Sequence, residues 1–470
     1  MTLAPASALV GAALRDAEHR VFWTDRPGAP EPAPPLAGRV RADLVVIGGG
    51  LTGLWTAIEA LRRDPSRDVM LLEAEEIASG ASGRNGGFIS ESLTHGVAHG
   101  NDVWPDEMPQ LLRLGRENLA EIADFLEREG IDAHLQLRGK TLMAVTRHQA
   151  ASLADAFRQH VEAGEDVELL DADAARADVL SPTYLGGLRV RSGGGTLDPA
   201  ALCWGLRCSL VGRGARLHER SPVSSVSAVP GGIEVTTPHG SVLAQRVVLA
   251  TNAFPPLLRR LRSWILPVYD HVLVSEPLSV EQRASIGWRE EQGLTDAGNQ
   301  FHYYRVTPDG RILWGGYDAI YHFAGRSPAS VAAREESFRT LAAHFFTTFP
   351  QLEGLRFTHR WFGAIDTTSR FTPLFGTAMG GKVAYAVGYT GLGVGASRFG
   401  ARTALDLVDG IDSERTELQL VRRRPVPFPP EPVRYPLVRL TQAALAREDA
   451  SGRRGAYLRL LDRLGVGFNS

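Results

Sequence analysis

Hydrophobic residues fall in short runs that alternate with helical stripes. Asp43-Leu44-Val45-Val46-Ile47 is an apolar, β-branched run followed by glycines, as expected of a strand buried on both faces of a parallel sheet. Leu51–Arg63 switches to a helical period, and Val69–Leu72 is a second short apolar run. Residues 43–73 thus predict one βαβ unit of about 30 residues. Further on, Pro109–Glu129 places Leu111, Leu112, Leu114, Leu119, Ile122 and Phe125 on one side of a helix. Asp198–Gly212 predicts another, with Asp198 as N-cap and Pro199 in the first turn.

Strand patterns follow at Arg216–His218, Val223–Val229, Ile233–Thr237 and Val247–Ala250, with turns at Pro230-Gly231-Gly232 and Pro238-His239-Gly240. Val268–Ser275, Phe301–Val306 and Arg311–Gly315 predict three more, the last two joined by Thr307-Pro308-Asp309-Gly310. Val331–Phe349 and Val394–Asp409 read as helices and Val383–Gly388 as a strand. Five prolines in Pro27–Pro35 predict a stiff lead-in without packing of its own. The tail Arg422–Pro436 is again proline-rich, and a helix after it is expected to wrap back on the body.

The chain has 470 residues, 44% hydrophobic and 22% charged, a globular balance with length for roughly two to three domains. A net charge of -2 gives no bulk electrostatic reason to bind nucleic acid or anionic membrane. No uncharged apolar stretch reaches the roughly 18–20 residues of a membrane helix. Met1–Leu14 lacks the basic start of a signal peptide, so a soluble cytoplasmic protein is expected. Cys203 and Cys208 are five apart in a predicted helix and point to different faces, which argues against a disulfide framework or a cysteine-rich metal site. No metal is expected. Lys140 and Lys382 are the sole lysines, so chemistry that needs a lysine has two candidates.

Gly48-Gly49-Gly50-Leu51-Thr52-Gly53 contains G-x-G-x-x-G between a predicted strand and a predicted helix. Gly48, Gly50 and Gly53 let backbone approach a pyrophosphate, and the helix start at Leu51 and Thr52 supplies unpaired N–H groups. Glu73 ends the second strand, where an acidic side chain accepts from ribose hydroxyls. Ser79–Phe88 is a second glycine- and polar-rich loop, where a nicotinamide dehydrogenase would continue with a helix. Tyr389-Thr390-Gly391-Leu392-Gly393-Val394 is a third, again between strand and helix. A helix N-terminus there suits the negative edge of a reduced flavin.

These motifs, with Leu72-Glu73-Ala74, Ala81–Phe88, Val247–Asn252 and Gly388–Val394, resemble the FAD-dependent D-amino acid oxidase superfamily. The resemblance spans about residues 40–410 and is nearest to its glycine/D-amino acid oxidase-like deaminating enzymes. It implies an α/β fold, α+β overall, in which a Rossmann-like FAD-binding domain interleaves with a substrate domain on a large mixed or antiparallel sheet. The expected division is a lead-in over 1–36, FAD-binding pieces at 37–98, 196–262 and 356–415, substrate pieces at 99–195 and 263–355, and a tail over 416–470. Beside the phosphate loop and Glu73, it implies FAD contacts from Ala74, Ser82, Arg84, Asn85, Gly86, Gly87, Phe88, Val223, Ala250, Thr251, Asn252, Trp361, Gly363, Gly391, Leu392, Gly393 and Val394.

Members of that superfamily transfer a hydride equivalent from the carbon beside an amine nitrogen to flavin N5. The imine hydrolyses, and oxygen or another acceptor takes the electrons. Amino-acid members clamp the substrate carboxylate with an arginine shortly before Pro-x-x-Gly. Here Ile365 stands at that position and Arg370 follows five residues later. The stretch resembles the γ-glutamylputrescine oxidase-like branch, whose substrates are primary amines on longer chains. Asp366 and Arg370 are therefore the substrate-binding candidates, with a backbone-bonding turn as the alternative for Asp366. The lysine that the sarcosine oxidase branch places over the flavin has no counterpart between Lys140 and Lys382.

Alternation in Phe301–Val306 puts His302, Tyr304 and Val306 on one face and Tyr303 and Arg305 on the other. His302 and Tyr304 are the expected lining of an amine site, with His271 on an adjacent strand and Tyr389 near the ring. Aromatic packing is the alternative for that strand. His95 and His99 follow the second loop as candidates for covalent flavin attachment. The functional expectation is an FAD-dependent amine or amino acid oxidoreductase, with a primary amine favoured over a simple α-amino acid. The alternative is an FAD protein on the same fold without amine oxidation, such as a redox partner subunit or an NAD(P)H-dependent hydroxylase.

Overall fold

The computed structural model describes residues 7–325 and 334–467. The apolar run at 43–47 is the inner end of a ten-residue strand, Gly38–Ile47. It lies parallel between Val69–Leu72 and Gly240–Leu249. Leu44 and Val46 face a helical core, while Val45 and Ile47 face the opposite side of the sheet. Burial on both faces is why this run shows no polar alternation. Across the sheet the order is Leu374–Ala378, Val383–Val387, Gly240–Leu249, Gly38–Ile47, Val69–Leu72, Arg216–His218. Leu374–Ala378 is an antiparallel edge, and the hairpin Ser225–Val229 with Gly232–Thr236 adds to Gly240–Leu249. The helix Leu51–Arg63 packs against Gly393–Asp409 and Pro199–Gly212.

A second eight-stranded sheet runs Phe357–Thr367, Leu266–Ser275, Ile312–Ile320, His302–Val306, Gly293–Asp296, Lys140–Ala144, Gly186–Val190, Val167–Leu170. Its pairings are antiparallel except that of Gly293–Asp296 with Lys140–Ala144. The helix Glu335–Thr348 covers its back, and Ser7–Leu14 packs against that helix. There Tyr304, Trp314, Phe338, Phe345 and Phe349 form an aromatic core.

Several elements depart from the sequence reading. The eleven-residue strand Phe357–Thr367 was not expected, nor were Lys140–Ala144, Val167–Leu170, Gly186–Val190, Gly293–Asp296 and Leu374–Ala378. Most are short, and several carry glycines, which weakens their local pattern. The second loop contains one helical turn, Ala81–Arg84. The helix expected from Val331 runs Glu335–Thr348, and its first expected positions lie outside the described residues. The proline-rich lead-in is pinned to the body: Ala33 N–H donates to Glu219 at 2.7 Å and Leu36 N–H to Ser221 Oγ at 2.9 Å. The tail returns as two helices, Arg434–Ser451 and Ala456–Arg463. Among the described residues no helix is long and apolar enough to cross a membrane, and no cluster of metal-ligating side chains occurs.

Candidate active site

Between the two sheets lies a cavity of about 1730 Å³. A small-ligand pocket runs to roughly 300–1,000 Å³, so this one has room for a large cofactor together with a substrate. One end is built where Gly38–Ile47, Val69–Leu72 and Gly240–Leu249 finish side by side. Gly48 has φ +106°, and a Cβ there would lie 2.4 Å from the Ala250 carbonyl oxygen. A Cβ on Gly53 would lie 1.8 Å from the Gly48 carbonyl oxygen. A side chain on Gly53 would push the helix off the strand end, and one on Gly48 would strike the neighbouring strand at Ala250. Glu73 closes the end of the second strand, where its carboxylate accepts from Gly49 N–H at 2.6 Å and Glu75 N–H at 2.9 Å. Burial pushes its pKa up.

The second loop is tied internally. Asn85 donates to the Ala81 and Ser82 carbonyls and accepts from Gly87 N–H. Ser82 Oγ accepts from Leu51 N–H at 2.9 Å, joining this loop to the first helix turn. Arg84 Nε donates to the Ser79 carbonyl at 2.6 Å. Two tryptophans brace the loop from behind: Trp361 Nε1 donates to the Arg84 carbonyl at 2.8 Å and Trp23 Nε1 to the Asn85 carbonyl at 2.9 Å. Trp23 lies in the lead-in, where nothing in the sequence marked it.

Of the expected cofactor residues, Gly48, Gly50, Leu51, Thr52, Glu73, Ala74, Ser82, Arg84, Asn85, Gly86 and Phe88 line this cavity. So do Val223, Ala250, Thr251, Asn252, Gly363, Gly391, Leu392, Gly393 and Val394. Gly53, Gly87 and Trp361 are not in its wall and act through packing. The donor set suits FAD. Two helices begin at the cavity, after Gly50 and after Leu392, and neither N-cap residue caps its helix with a side chain, although Ser82 Oγ takes the Leu51 N–H of the first. The remaining first-turn N–H groups suit a pyrophosphate and an anionic ring edge.

The expected substrate residues are placed differently. His302 and Tyr304 face the aromatic core behind the sheet, not the cavity. His302 Nδ1 meets Asp296 at 2.5 Å, its Nε2 meets His344 at 3.0 Å, and its ring stacks on Trp314 and Tyr317. Tyr304 is hydrogen-bonded to Tyr184 and Asp296. His271 also turns to that side, edge-on to Phe338, and burial lowers its pKa to about 4. Alternation along the strand holds, but the face was assigned the wrong way. The helix Glu335–Thr348 claims the His302/Tyr304 side. Tyr389 lines the cavity, but its hydroxyl accepts from Thr52 Oγ1 at 3.0 Å in the helical core.

Asp366 does line the cavity, but it is buried and braces the third loop, accepting from Gly388 N–H and from Tyr389 N–H. Burial pushes its pKa up to about 7. It sits on a strand, not in the turn considered for it. Arg370 is buried outside the cavity wall, over Trp104, and donates to the carbonyls of Pro373, Leu420 and Arg423. Its guanidinium fastens the C-terminal segment. His95 Nε2 meets the Thr390 carbonyl at 3.0 Å and His99 Nε2 the Arg370 carbonyl at 2.9 Å. Both imidazoles are held below their ordinary pKa by burial, His95 at about 4.

Sequence reasoning missed the pair that does face the cavity. Tyr303 Oη donates to Asp270 Oδ2 at 2.7 Å, and both residues line the wall. Burial pushes the Asp270 carboxyl up to about 6. The Tyr303 ring lies against the second loop, edge-on to Phe88 at 5.9 Å and so near Gly86 that a Cβ there would lie 2.6 Å from it. The available signal was Gly315, directly opposite Tyr303, which leaves room for the ring. The tail was missed as well: Phe428, Val438, Thr441, Leu445 and Tyr457 wall the far side of the cavity.

Comparison with known proteins gives a consistent result. Residues 43–407 match the family model described as DAO, FAD dependent oxidoreductase. The chain is 30% identical over 436 residues to gamma-glutamylputrescine oxidoreductase of Escherichia coli, covering 91% of this chain and 94% of that protein. It is 28% identical over 410 residues to the probable oxidoreductase OrdL of Haemophilus influenzae, covering 85% and 90%. Among solved structures, glycine oxidase from Bacillus cereus matches with a TM-score of 0.66 at 20% identity, covering 82% of this chain and 99% of that one. The last is a likeness of fold. The cradle of glycines, helix starts and Glu73 has the features an FAD site needs, and the chain belongs to the DAO family of FAD-dependent oxidoreductases.

Proposed function

We propose that the enzyme oxidises the C–N bond of a primary amine carried on an extended chain, with oxygen as the electron acceptor. The observation that carries this reading is the Asp270–Tyr303 pair, set in the cavity wall against the loop that borders the cofactor cradle. Bound FAD supplies the hydride acceptor. The protein must attract an amine, strip it of its extra proton, hold its C–H bond in line and keep water out. A carboxylate with its pKa at about 6 is ionised at neutral pH, so it attracts the ammonium and takes its proton. Tyr303 fixes the Asp270 carboxylate by donating to one oxygen. The aromatic rings of Phe88, Phe301 and Tyr303 favour a cation beside them.

A simple α-amino acid fits less well. Ile365 lines the cavity near the expected clamp position, and Arg370 spends its donors on backbone carbonyls. The cavity also exceeds what a small amino acid needs beside a cofactor. The gamma-glutamylputrescine oxidoreductase relative, whose name denotes a long-chain amine, supports the same class.

The test is an anaerobic visible titration of the purified flavoprotein with amines and α-amino acids. Primary amines are expected to bleach the flavin bands, with recovery on admitting air. Bleaching without rapid recovery refutes oxygen as acceptor. Bands that ignore every amine refute amine oxidation and favour a flavoprotein of other chemistry.

A further inference from the structure

Beyond the Asp270–Tyr303 pair the cavity continues along the sheet to Lys140, the first residue of Lys140–Ala144. Strand alternation turns Lys140 and Leu142 to the cavity and Thr141 and Met143 to the core. The Lys140 side chain is exposed by area yet enclosed by protein, which lowers its pKa. The two facts describe a side chain extended into an internal chamber.

The other basic side chains in this wall are engaged. Arg84, Arg434 and Arg454 donate to carbonyls or carboxylates. His95, His148 and His160 each meet an oxygen. Among the described residues, the Lys140 ammonium forms no hydrogen bond or ion pair, its backbone being held in the sheet. Glu165 faces it across the chamber, supporting its charge, but is itself bound to His160. An ammonium turned into an enclosed space without a protein partner is costly unless a ligand anion or water answers it.

Sheet register gives the span. Tyr303 stands opposite Thr295, and Thr295 opposite Leu142. Lys140 lies two residues further along the same strand. Two strand spacings and two residue rises put the Tyr303 and Lys140 backbones roughly 12 Å apart. A lysine side chain reaches back over part of that distance.

We propose that Lys140 is a distal substrate subsite that binds a carboxylate about 10 Å from the amine undergoing oxidation. This deepens the amine reading above and rests on it. The substrate class is then a chain with an amine at one end and an acidic group at the other. An α-amino acid is too short to reach both ends.

Two measurements test this on the FAD-loaded enzyme. The first is the ratio of kcat/KM for 6-aminohexanoate and 8-aminooctanoate to that for hexylamine and octylamine. The ratio is expected to favour the amino acids in the wild type, to fall at least about tenfold in Lys140→Met, the scale of one charge-assisted hydrogen bond, and to survive in Lys140→Arg. Lys140→Glu is expected to reverse the preference toward diamines. An unchanged ratio in Lys140→Met overturns the assignment.

The second is the affinity for adipate, a non-oxidisable dicarboxylate, read from perturbation of the flavin spectrum. It is expected to weaken about tenfold in Lys140→Met and to be kept in Lys140→Arg. If no amine is oxidised but adipate affinity still depends on Lys140, the amine reading fails and the subsite stands. Adipate affinity that ignores Lys140 overturns the subsite.

Discussion

At the scale of single residues, three of the acidic groups that line this cavity, Glu73, Asp366 and Asp270, differ by what answers them. Glu73 and Asp366 are answered by backbone N–H groups and therefore hold loops. Asp270 is answered by one tyrosine hydroxyl on one oxygen and faces open volume. Of these three it is the carboxylate available to an incoming cation. Its pKa is raised to about 6, so it is neutral below that pH and ionised above it. Amine kcat/KM is expected to rise with pH through about 6 as the anion forms. Asp270→Asn should lose that limb and fall on the order of 10²-fold or more at pH 8, the scale of general base catalysis. A variant that keeps the limb would show that another group titrates there. Of these residues the sequence singled out Glu73, because its place at the strand end follows from chain spacing after a glycine turn. It could not make Asp270 legible, because the partner Tyr303 lies on another strand of a sheet whose faces are set by a third element.

At the scale of elements, the parallel strands and their glycine turns were readable because both faces are buried and the pattern is local. The roof strands were harder. Phe357–Thr367 mixes Arg360, Gly363 and Asp366 among apolar residues, and its pairing with Leu266–Ser275 spans nearly a hundred positions. The C-terminal helices show the same limit. Arg434–Ser451 is held by Asp449, which accepts from Asn299 N–H, Asn299 Nδ2 and Gln300 N–H. These contacts seat the helix as a wall of the cavity. Asp449→Ala is expected to loosen that wall and raise amine KM about three- to tenfold with flavin content retained. The losses follow from three charge-assisted bonds at a partly buried site. Steady-state kinetics beside the protein-to-flavin absorbance ratio checks this, and a drop in bound flavin would instead place the helix in the cofactor site.

At the scale of the whole molecule, the cavity wall expected to hold FAD joins three distant stretches: the turn at 48–52, the strand end at 250–252 and the helix start at 391–394. A ligand that touches all three stabilises the fold as a unit. At a hundred times its Kd, FAD should add about 2.7 kcal/mol of stability, visible as a rise in Tm with added cofactor. Glu73→Ala should shift that curve to about tenfold higher FAD, the scale of a lost charge-assisted bond. Coincident curves for the two proteins would remove Glu73 from the cofactor site.

The pairing of Gly38–Ile47 with Gly240–Leu249, and of the latter with Val383–Val387, also governs how the polypeptide is born. At ~5–20 residues per second, a ribosome needs roughly 20–80 s to deliver the first ~400 residues. Over that interval Gly38–Ile47 waits on one edge until Gly240–Leu249 emerges, and Gly240–Leu249 then waits until Val383–Val387 does, each an open template for unwanted pairing. Shielding of the waiting strands by chaperones should therefore raise the yield of native protein. Expression at low temperature with ample riboflavin is the condition under which it should accumulate in native form.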